Sequence, residues 1–304
     1  MKTDPQPEFQ PAIGTAEEIA PGLRRVVANN PSPMTFRGTN TYLVGTSDLA
    51  VIDPGPKDTA HLAALLSAIG NARVSAILVT HAHLDHSPLA SDLSRHTGAP
   101  VYAFSDALGG RSAIMQDLAK SGLMQGGEGV DASFQPDHTL ADGETVSGTD
   151  WSLTAVHTPG HFGNHLSFAM GDMLFCGDLV MGWASSLVSP PDGDLTDFMA
   201  SCRRLQSMRW HSFHSGHGAP ITEPAARLDW LISHRLTREA SLLQELERGP
   251  ATCSDLANRV YHDTAPALLP AATRNVLAHM VDLYGKNAVT ADGTLSANAV
   301  FRRL

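Results

Sequence analysis

Four potential metal ligands occur within six residues, in the run His81-Ala82-His83-Leu84-Asp85-His86. Imidazole nitrogens and carboxylate oxygens bind zinc at about 2.0 to 2.2 Å, and a catalytic zinc keeps one position for water. If this run is a loop, His81 and His83 project to one side, whereas Asp85 and His86 can face a second ion. Burying such polar and charged groups together, without a metal ion or a hydrogen-bond partner, would cost folding free energy. The run therefore predicts the beginning of a two-metal centre.

Three further candidate ligands stand where predicted strands end in turns. His157 precedes a Thr-Pro-Gly turn, Asp178 follows a strand and a glycine, and His217 lies between two glycines. Loops at the ends of strands commonly hold binding and catalytic residues on a rigid scaffold. We therefore expect these three side chains to converge on the histidine-rich run.

For other polar residues near these positions, the sequence leaves the role open. His161, His165 and His214 either support the ligands, contact substrate or only pack in the core. Asp53, at the end of a predicted strand, is a candidate to hold a ligand from behind, as outer-shell carboxylates do in metal sites. None of these four residues is assigned to the ligand set.

Strands alternate with helices along the first 220 residues. Apolar runs predict strands at 23–28, 41–45, 49–53, 74–79, 101–104, 151–157, 166–170, 173–176 and 212–215. Helical spacing of apolar residues predicts helices at 61–69, 88–96 and 197–207. The histidine-rich run directly follows the strand at 74–79. Two sets of strands with outer helices predict a β-sandwich covered by helices on both sides.

The pattern changes after Pro220. A long helical segment at 223–247 is followed by helical segments at 252–260 and 271–284, and by two short strands at 288–290 and 299–302. Three helices and a hairpin describe a winged-helix module. We therefore divide the chain into a catalytic domain, residues 1–222, and a C-terminal module, residues 223–304.

Composition restricts the class of protein. Hydrophobic residues make up 42% and charged residues 17%, which is typical of a globular chain. A net charge of −10 disfavours phosphate backbones as partners. No segment has the roughly 18 apolar residues of a membrane span, and no export signal is recognisable at the start. Because Cys176, Cys202 and Cys253 are too few for a disulfide framework, we expect a reducing, cytoplasmic location without membrane contact.

These motifs resemble those of the metallo-β-lactamase superfamily. Its signatures are matched in order by the run 80–86, by His157-Thr158-Pro159-Gly160-His161, by Gly177-Asp178 and by Gly216-His217-Gly218. The resemblance covers residues 23–220 and implies an α/β (α+β) fold, the αββα sandwich with metals at one sheet edge. It also implies a ligand set: His81, His83 and His157 for the first metal, Asp85, His86 and His217 for the second, and Asp178 as the bridge.

The resemblance implies a hydrolase with two Zn²⁺ ions, although manganese or iron tolerates the same ligands. Two such cations would lower the pKa of a bridging water to give hydroxide near neutral pH, while one polarises the oxygen under attack. Asp85 would be the catalytic residue that orients this nucleophile. The ligands by themselves do not identify the substrate, because the same hydroxide attacks carbonyl carbon or phosphorus.

Two positions narrow the resemblance. Oxygen-reducing diiron members carry a glutamate where this chain has His83, and true β-lactamases lack the bridging aspartate that Asp178 supplies. The helical tail is similar to that of the β-lactamase-like protein 2 group, near the glyoxalase-II-like branch. We therefore expect a small-molecule thioester or ester as substrate, such as an acyl-CoA or an S-acylglutathione. The apolar segments 110–124 and 179–188 are candidates to line an acyl pocket.

Two other functions remain open. A single-strand-specific endoribonuclease or phosphodiesterase would use the same metals, with the winged helix guiding the strand. A winged-helix nucleic-acid-binding regulator would retain the hydrolase domain only as a vestige. Residues 225–304 hold nine Lys or Arg and eight Asp or Glu, so no basic stripe favours nucleic acid. The tail is also a candidate surface for forming a homodimer.

Overall fold

Two β-sheets pack face to face in the computed structural model, which describes residues 4–123 and 129–304 of the chain. The strands of the first sheet lie side by side in chain order: β1 (Glu17–Ala20), β2 (Leu23–Val27), β3 (Asn40–Gly45), β4 (Asp48–Ile52), β5 (Arg73–Leu78), β6 (Val101–Ala103) and β7 (His138–Thr139). Neighbours from β1 to β4 are antiparallel, whereas β4 to β7 run parallel. The parallel strands therefore bring their carboxyl ends to one edge.

Three helices follow strands of this sheet: α1 (Thr59–Ile69), α2 (Ala90–Thr97) and α3 (Ala113–Lys120). Asp58 caps α1, because its side chain accepts a hydrogen bond from a backbone N–H of the first turn. Leu65 of α1 and Leu93 of α2 pack with buried side chains of β4 and β5 on the outer face of the sheet. The apolar positions at helical spacing thus face the sheet.

The second sheet has the strand order β12-β11-β10-β9-β8, with these bounds: β8 (Thr145–Ser147), β9 (Ser152–His157), β10 (Leu166–Met170), β11 (Met173–Gly177) and β12 (Ser212–Ser215). Helix α4 (Leu195–Gln206) connects β11 to β12, which pair in parallel, and it buries Phe198 and Leu205 on the outer face. Between the two sheets, Tyr42, Phe168 and Phe175 belong to one shared apolar core. The predicted αββα sandwich is confirmed.

The C-terminal module consists of α5 (Pro224–Glu247), β13 (Ala251–Thr252), α6 (Cys253–Val260), a 3₁₀ turn (Pro266–Leu268), α7 (Leu269–Gly285), β14 (Val289–Ala291) and β15 (Val300–Arg303). Its three strands form a small sheet in the order β13-β15-β14, which completes a winged helix. Leu228 of α5 packs on the sandwich beside α4, whereas Leu242 packs with α6 and α7. Helix α5 is therefore shared by two cores, and a boundary between residues 222 and 223 stays a prediction.

Strand β1 precedes residues 23–28, the first strand expected from the sequence. It pairs with β2, and Glu17 forms an ion pair of 2.7 Å with the buried Arg25. A four-residue edge strand has little pattern of its own, because its partner supplies the hydrogen bonds. Among the described residues, no helix has the length and apolar character needed to cross a membrane.

The two segments expected to line an acyl pocket lie elsewhere in the structure. Leu179, Val180 and Val188 are buried in the core beneath α4. Met115 and Leu118 of α3 pack against the C-terminal module. Met124, the last residue of the predicted segment 110–124, lies outside the described residues. The apolar side chains of these segments therefore support the fold.

Candidate metal centre

The histidine-rich run follows β5 and crosses the carboxyl edge of the first sheet. His81 and His86 are wholly buried. His83 is partly exposed, and the side chain of Asp85 is 26% exposed. The buried rings of His81 and His86 therefore form the floor of the centre. The partly exposed side chains of His83 and Asp85 lie at its mouth, on the solvent side.

Three imidazoles meet in a first group of potential ligands. His83 Nδ1 lies 2.9 Å from His81 Nε2 and 3.2 Å from His161 Nε2. Ligand nitrogens at about 2.0 to 2.1 Å from a tetrahedral zinc are about 3.3 Å apart, close to this spacing. The first group therefore fits a metal with three nitrogen ligands.

A second group lies beside the first. Asp85 Oδ2 is 3.2 Å from His217 Nε2 and 3.4 Å from His86 Nε2. The hydroxyl of Thr39 donates a hydrogen bond to the same carboxylate oxygen over 3.3 Å. Two nitrogens and one carboxylate oxygen form a typical ligand set for a catalytic zinc.

Asp178 lies between the two groups. Its Oδ2 is 3.3 Å from His217 Nε2 and 3.8 Å from His161 Nε2, and its Oδ1 is 3.6 Å from His86 Nε2. Within the described part of the chain, Asp178 Oδ1 and His86 Nε2 are buried and have no hydrogen-bond partner. Buried polar atoms without partners are costly, so both atoms fit the role of metal ligands.

Asp53 orients two of the rings from behind. Its Oδ2 accepts hydrogen bonds from His86 Nδ1 at 2.9 Å and from the Thr80 hydroxyl at 2.7 Å. Because the Thr80 hydroxyl proton points to Asp53, its oxygen is free to accept from His81 Nδ1 at 2.9 Å. Both rings consequently present Nε2 to the centre, as expected of an outer-shell carboxylate.

Backbone carbonyls orient two other rings in the same way. His161 Nδ1 donates to the carbonyl of Leu187 at 2.7 Å, and His217 Nδ1 donates to that of Gly38 at 3.2 Å. A carbonyl only accepts, so the proton sits on Nδ1 and Nε2 faces the centre. His83 is the exception, since its Nδ1 points inward.

Burial keeps the first group uncharged. It lowers the pKa of His81 well below its usual 6.5, that of His83 to about 3, and that of His161 below its usual value. Neighbouring imidazoles add to the shifts at His81 and His83, because a second positive charge nearby is unfavourable. Neutral imidazole is the form that binds metal.

Carboxylates reverse the effect in the second group. Burial lowers the pKa of His217, but Asp178 and Asp85 raise it to about 10. Burial likewise disfavours a charge on His86, yet the same carboxylates raise its pKa well above 6.5. Although burial alone raises the pKa of Asp85, His86 and His217 hold it well below 3.8. Two buried carboxylates thus require positive charge beside them, which cations would supply.

His165 positions Asp178 without facing either group. Its Nε2 accepts a hydrogen bond from the backbone N–H of Asp178 at 3.2 Å, and its Nδ1 lies 3.0 Å from Thr158 Oγ1. The sequence left its role open, and the structure assigns it to supporting a ligand. The sequence signal for His165 was its place directly before β10, which pairs with β11, the strand that leads to Asp178.

Gly216 permits the two groups to approach each other. A Cβ atom at this position would lie 2.4 Å from Asp178 Oδ1 and 2.6 Å from His86 Cε1. Both distances are far below van der Waals contact. Any side chain at this position would therefore displace candidate ligands.

His157 is not part of either group, and this corrects the ligand set expected from the sequence. It remains within β9, where it pairs with Leu166, and its ring stacks on Phe104 with 4.0 Å between centroids. Strand side chains stand perpendicular to the sheet, so this ring does not reach beyond the strand end. The loop after β9 instead carries His161 to the centre. The missed signal is that His161, like His217, directly follows a glycine.

Two other residues considered in the sequence lie in the core. His214 Nε2 is 3.1 Å from Ser212 Oγ, and its ring contacts those of Tyr42 and Phe175. Cys176 is buried, and burial raises the pKa of its thiol to about 12. Neither side chain is available to bind metal or substrate.

A surface depression of about 530 Å³ lies beside the centre, on the side of α2. Leu84 and Phe134 contribute apolar surface to it, and Lys57, Arg95 and Asp137 contribute charges of both signs. None of the clustered histidines or of Asp85 and Asp178 lines it. The depression is neither an apolar tunnel nor a basic groove, and we do not assign the reaction to it.

Comparison with known families gives two matches. The model of the metallo-beta-lactamase superfamily matches residues 34–209, more than half of the chain. The model of the beta-lactamase associated winged helix domain matches residues 252–294. The predicted winged helix is therefore confirmed by sequence as well as by architecture.

Individual relatives extend over both parts. The "Beta-lactamase-like protein 2 homolog" of Drosophila melanogaster is 30% identical, over 89% of this chain and 90% of that protein. The "Atrochrysone carboxyl ACP thioesterase" of Aspergillus fumigatus is 29% identical, over 81% of this chain and 72% of that protein. A crystal structure of a metallo-beta-lactamase family protein from Thermus thermophilus is 25% identical with a TM-score of 0.75, over 94% of this chain and 100% of that one.

Proposed function

The chain belongs to the metallo-beta-lactamase superfamily, and from this premise we propose that it is a dinuclear zinc hydrolase of acyl thioesters. The observation that carries the proposal is the place of Asp178, whose Oδ2 faces His161 of one group and His217 of the other. A carboxylate shared by two ligand groups suits two cations a few ångströms apart. The proposed ligands are His81, His83 and His161 for the first cation, Asp85, His86 and His217 for the second, and Asp178 for both.

Zinc is the metal that suits these ligands best. Five imidazoles dominate the set, and nitrogen-rich sites with few carboxylates favour zinc over magnesium or calcium. Iron and manganese accept the same donors, so the metal present in the cell also depends on supply. The nitrogen spacings of 2.9 and 3.2 Å in the first group agree with a tetrahedral ion.

The residues around the centre have distinct tasks in the proposed reaction. Divalent cations held by these residues would lower the pKa of a bound water and polarise the acyl carbonyl. Asp85, at the exposed mouth, orients the attacking water by accepting a hydrogen bond from it. The Thr39 hydroxyl restrains this carboxylate by donating a hydrogen bond to Oδ2. The water oxygen bonds to the acyl carbon, the carbon–sulfur bond breaks, and the thiolate takes up the released proton.

Two observations favour a thioester over a nucleic acid. A relative that aligns with most of this chain is named as a thioesterase that acts on an acyl carrier protein. In the C-terminal module, Arg248, Arg302 and Arg303 each form an ion pair with a carboxylate of the same protein. Because these arginines already pair with carboxylates, they are less available to bind the phosphate backbone of a nucleic acid.

Metal stoichiometry tests the dinuclear centre. Protein stripped with a chelator and dialysed against Zn²⁺ is expected to hold two zinc ions per chain by plasma mass spectrometry. Asp178→Ala is expected to lose at least one of them, because both groups share this carboxylate. A wild-type protein that holds a single ion at saturating zinc contradicts the dinuclear proposal.

A substrate comparison tests the reaction. We expect the zinc-loaded enzyme to hydrolyse acyl-CoA, S-acylglutathione or acyl carrier protein thioesters, with free thiol detected colorimetrically. Asp85→Asn is expected to lower kcat by about 100-fold or more, the usual range for loss of acid–base assistance. Asp117→Asn, on the exposed face of α3, is the matched control and should retain full activity. Cleavage of single-stranded RNA with no thioester hydrolysis contradicts the proposal.

A further inference from the structure

We propose that Arg235 and Asn275 of the C-terminal module are positioning residues for the metal centre, acting on His161 through the backbone of Leu187. The inference rests on the proposed function, in which His161 binds the first cation. It concerns two residues that lie outside the superfamily match at residues 34–209. It connects the winged helix to the chemistry without requiring the winged helix to bind anything.

The last link is the hydrogen bond behind His161. The Nδ1 atom donates to the carbonyl of Leu187 over 2.7 Å, and only 7% of the histidine is exposed. This bond decides which nitrogen carries the proton and how the ring is turned. If the carbonyl moved, Nε2 would no longer be held toward His83 and Asp178. Outer-shell bonds of this kind commonly change metal affinity by 10- to 100-fold.

The Leu187 carbonyl has no strand or helix to hold it. It belongs to the irregular connection between β11 and α4. Instead, both neighbouring residues are held by the C-terminal module. Arg235 donates through Nη2 to the carbonyl of Ser186, and Asn275 Oδ1 accepts from the backbone N–H of Val188 at 3.1 Å. The peptide group that joins Leu187 to Val188, whose carbonyl orients His161, is thus held at its own N–H by Asn275. The peptide before it is held at its carbonyl by Arg235.

Arg235 and Asn275 form one unit. Arg235 Nη1 donates to Asn275 Oδ1 at 3.0 Å, so this single oxygen accepts both from the arginine and from Val188. Arg235 is 2% exposed, and its guanidinium lies 5.1 Å from the centroid of the Phe198 ring. A planar guanidinium with two fixed acceptors is a rigid support, which the flexible ammonium of lysine does not reproduce.

A second arginine of α5 holds the same connection further from the centre. Arg227 donates through Nε to the carbonyl of Met181 at 2.7 Å and through Nη2 to that of Ala184 at 2.5 Å. Arginines of α5 therefore bind three carbonyls of the connection, those of Met181, Ala184 and Ser186. Only the hydrogen bonds at residues 186–188 lie next to the carbonyl that accepts from His161.

The decisive variants differ in one acceptor atom. Asn275→Leu keeps the size of the side chain but removes the oxygen, whereas Asn275→Asp keeps the oxygen beside Arg235. The matched control is Thr196→Val, which removes another hydrogen bond between the sandwich and α7, from Thr196 Oγ1 to Asp282 Oδ1 at 2.7 Å. If Asn275→Leu does not fold, Arg235→Lys is the second variant. It keeps the positive charge but lacks the planar guanidinium that binds both acceptors.

Two readouts separate positioning from general stability. Long-range ¹H–¹⁵N spectra of metal-free protein report which nitrogen of His161 carries the proton, independently of any metal. Competition with a zinc chelator then gives the affinity of the first site, and the melting temperature reports folding. We expect Asn275→Leu or Arg235→Lys to lose the single Nδ1–H form and to bind zinc about 10-fold or more weakly. Asn275→Asp and Thr196→Val should retain both properties.

The outcomes distinguish this inference from the proposed function. Folded Asn275→Leu and Arg235→Lys with wild-type zinc affinity and a wild-type His161 spectrum would overturn the inference. An equal loss of zinc affinity in Thr196→Val would also overturn it, because the effect would then be general. If wild-type protein shows Nδ1–H at His161 but binds no zinc, the proposed function fails while the hydrogen-bond chain stands.

Discussion

Asp53 Oδ2 lies 2.9 Å from His86 Nδ1, and both residues are buried at the carboxyl edge of the first sheet. The same carboxylate holds the backbone N–H and the hydroxyl of Thr80. Asp53 adopts a positive φ of 50°, a region that Asn and Asp tolerate better than other residues with side chains. One side chain thereby aligns the end of β5 and two candidate ligands.

The first prediction concerns this carboxylate. Asp53→Asn keeps the shape and the backbone preference. Its amide N–H would face either the backbone N–H of Thr80 or both His86 Nδ1 and the Thr80 hydroxyl, so at least one donor loses its acceptor. We expect zinc affinity to fall by about 10- to 100-fold, measured by chelator competition. Asp48→Asn, a buried aspartate of β4 that bonds to Thr149 away from the centre, is the control. Equal zinc affinity in Asp53→Asn and Asp48→Asn would show that Asp53 does not support the metal ligands.

A second prediction uses Gly216. Its backbone φ is not positive, so Gly216→Ala introduces only the volume of a methyl group. That methyl would overlap Asp178 Oδ1 and His86 Cε1, so we expect at least one zinc ion per chain to be lost, with activity down about 100-fold. In Gly285→Ala the added Cβ meets no atom within 4 Å, and this control should keep metal and activity. Full zinc content in Gly216→Ala would show that the ligands can move aside.

The third prediction separates two histidines four residues apart. We expect His161→Ala to lose zinc from the first group, because it removes one of three imidazole ligands. His157→Ala should keep both ions and lose only the stacking on Phe104, which is worth about 0.5 to 1.5 kcal/mol. Zinc content and thermal melting of the two variants measure the difference. The reverse result, with zinc lost only in His157→Ala, would restore the ligand set expected from the sequence.

The fourth prediction is a dependence of stability on pH. His279 is buried in α7 and neither ring nitrogen has a hydrogen-bond partner among the described residues. Burial, helped by Arg235 and Lys286, lowers its pKa to about 3 from 6.5. At pH values between about 3 and 6.5, this histidine is protonated in the unfolded chain but neutral in the folded protein. The contribution is complete above pH 6.5 and decreases as the pH falls toward 3, by at most about 1.4 kcal/mol per unit.

His279→Leu should therefore flatten this acid-induced loss of stability. The comparison is the free energy of unfolding in urea at several values between pH 4 and pH 7, for wild type and variant. His262→Gln serves as the control, since that side chain is exposed and solvated in both states. Identical acid slopes for wild type and His279→Leu would show that the ring gains a proton without unfolding the protein.

The order of strands and helices was predictable where apolar periodicity is strong. Helix α1 and the strand β5 match their sequence patterns closely, because each buries one continuous apolar set. Strand β1 was not predicted, since an edge strand of four residues is defined by its pairing with β2. Local patterns thus describe elements that bury their own side chains, and they fail where a distant partner supplies the stabilisation.

The candidate site divides in the same way. The run from His81 to His86 was recognisable in the sequence because four potential metal ligands stand within six residues. The sequence offered only a weak signal for choosing between His157 and His161. The two histidines flank the same Thr-Pro-Gly turn, and only His161 directly follows a glycine. The choice depends on where β9 ends, and the register of β9 with β10 keeps His157 in the sheet.

By itself, the sequence determined the chemistry that this protein can carry out: which side chains can bind metal, and that most of them follow strand ends. Only the tertiary structure decided which rings meet, and that Asp53, Leu187, Arg235 and Asn275 orient them. The physical reason is the distance along the chain over which each property is determined. Donor type and loop position are local properties, whereas the direction of an imidazole is set by hydrogen bonds from other elements of the fold. Asp53 is 33 positions from His86 along the chain, and Gly38 is 179 positions from His217.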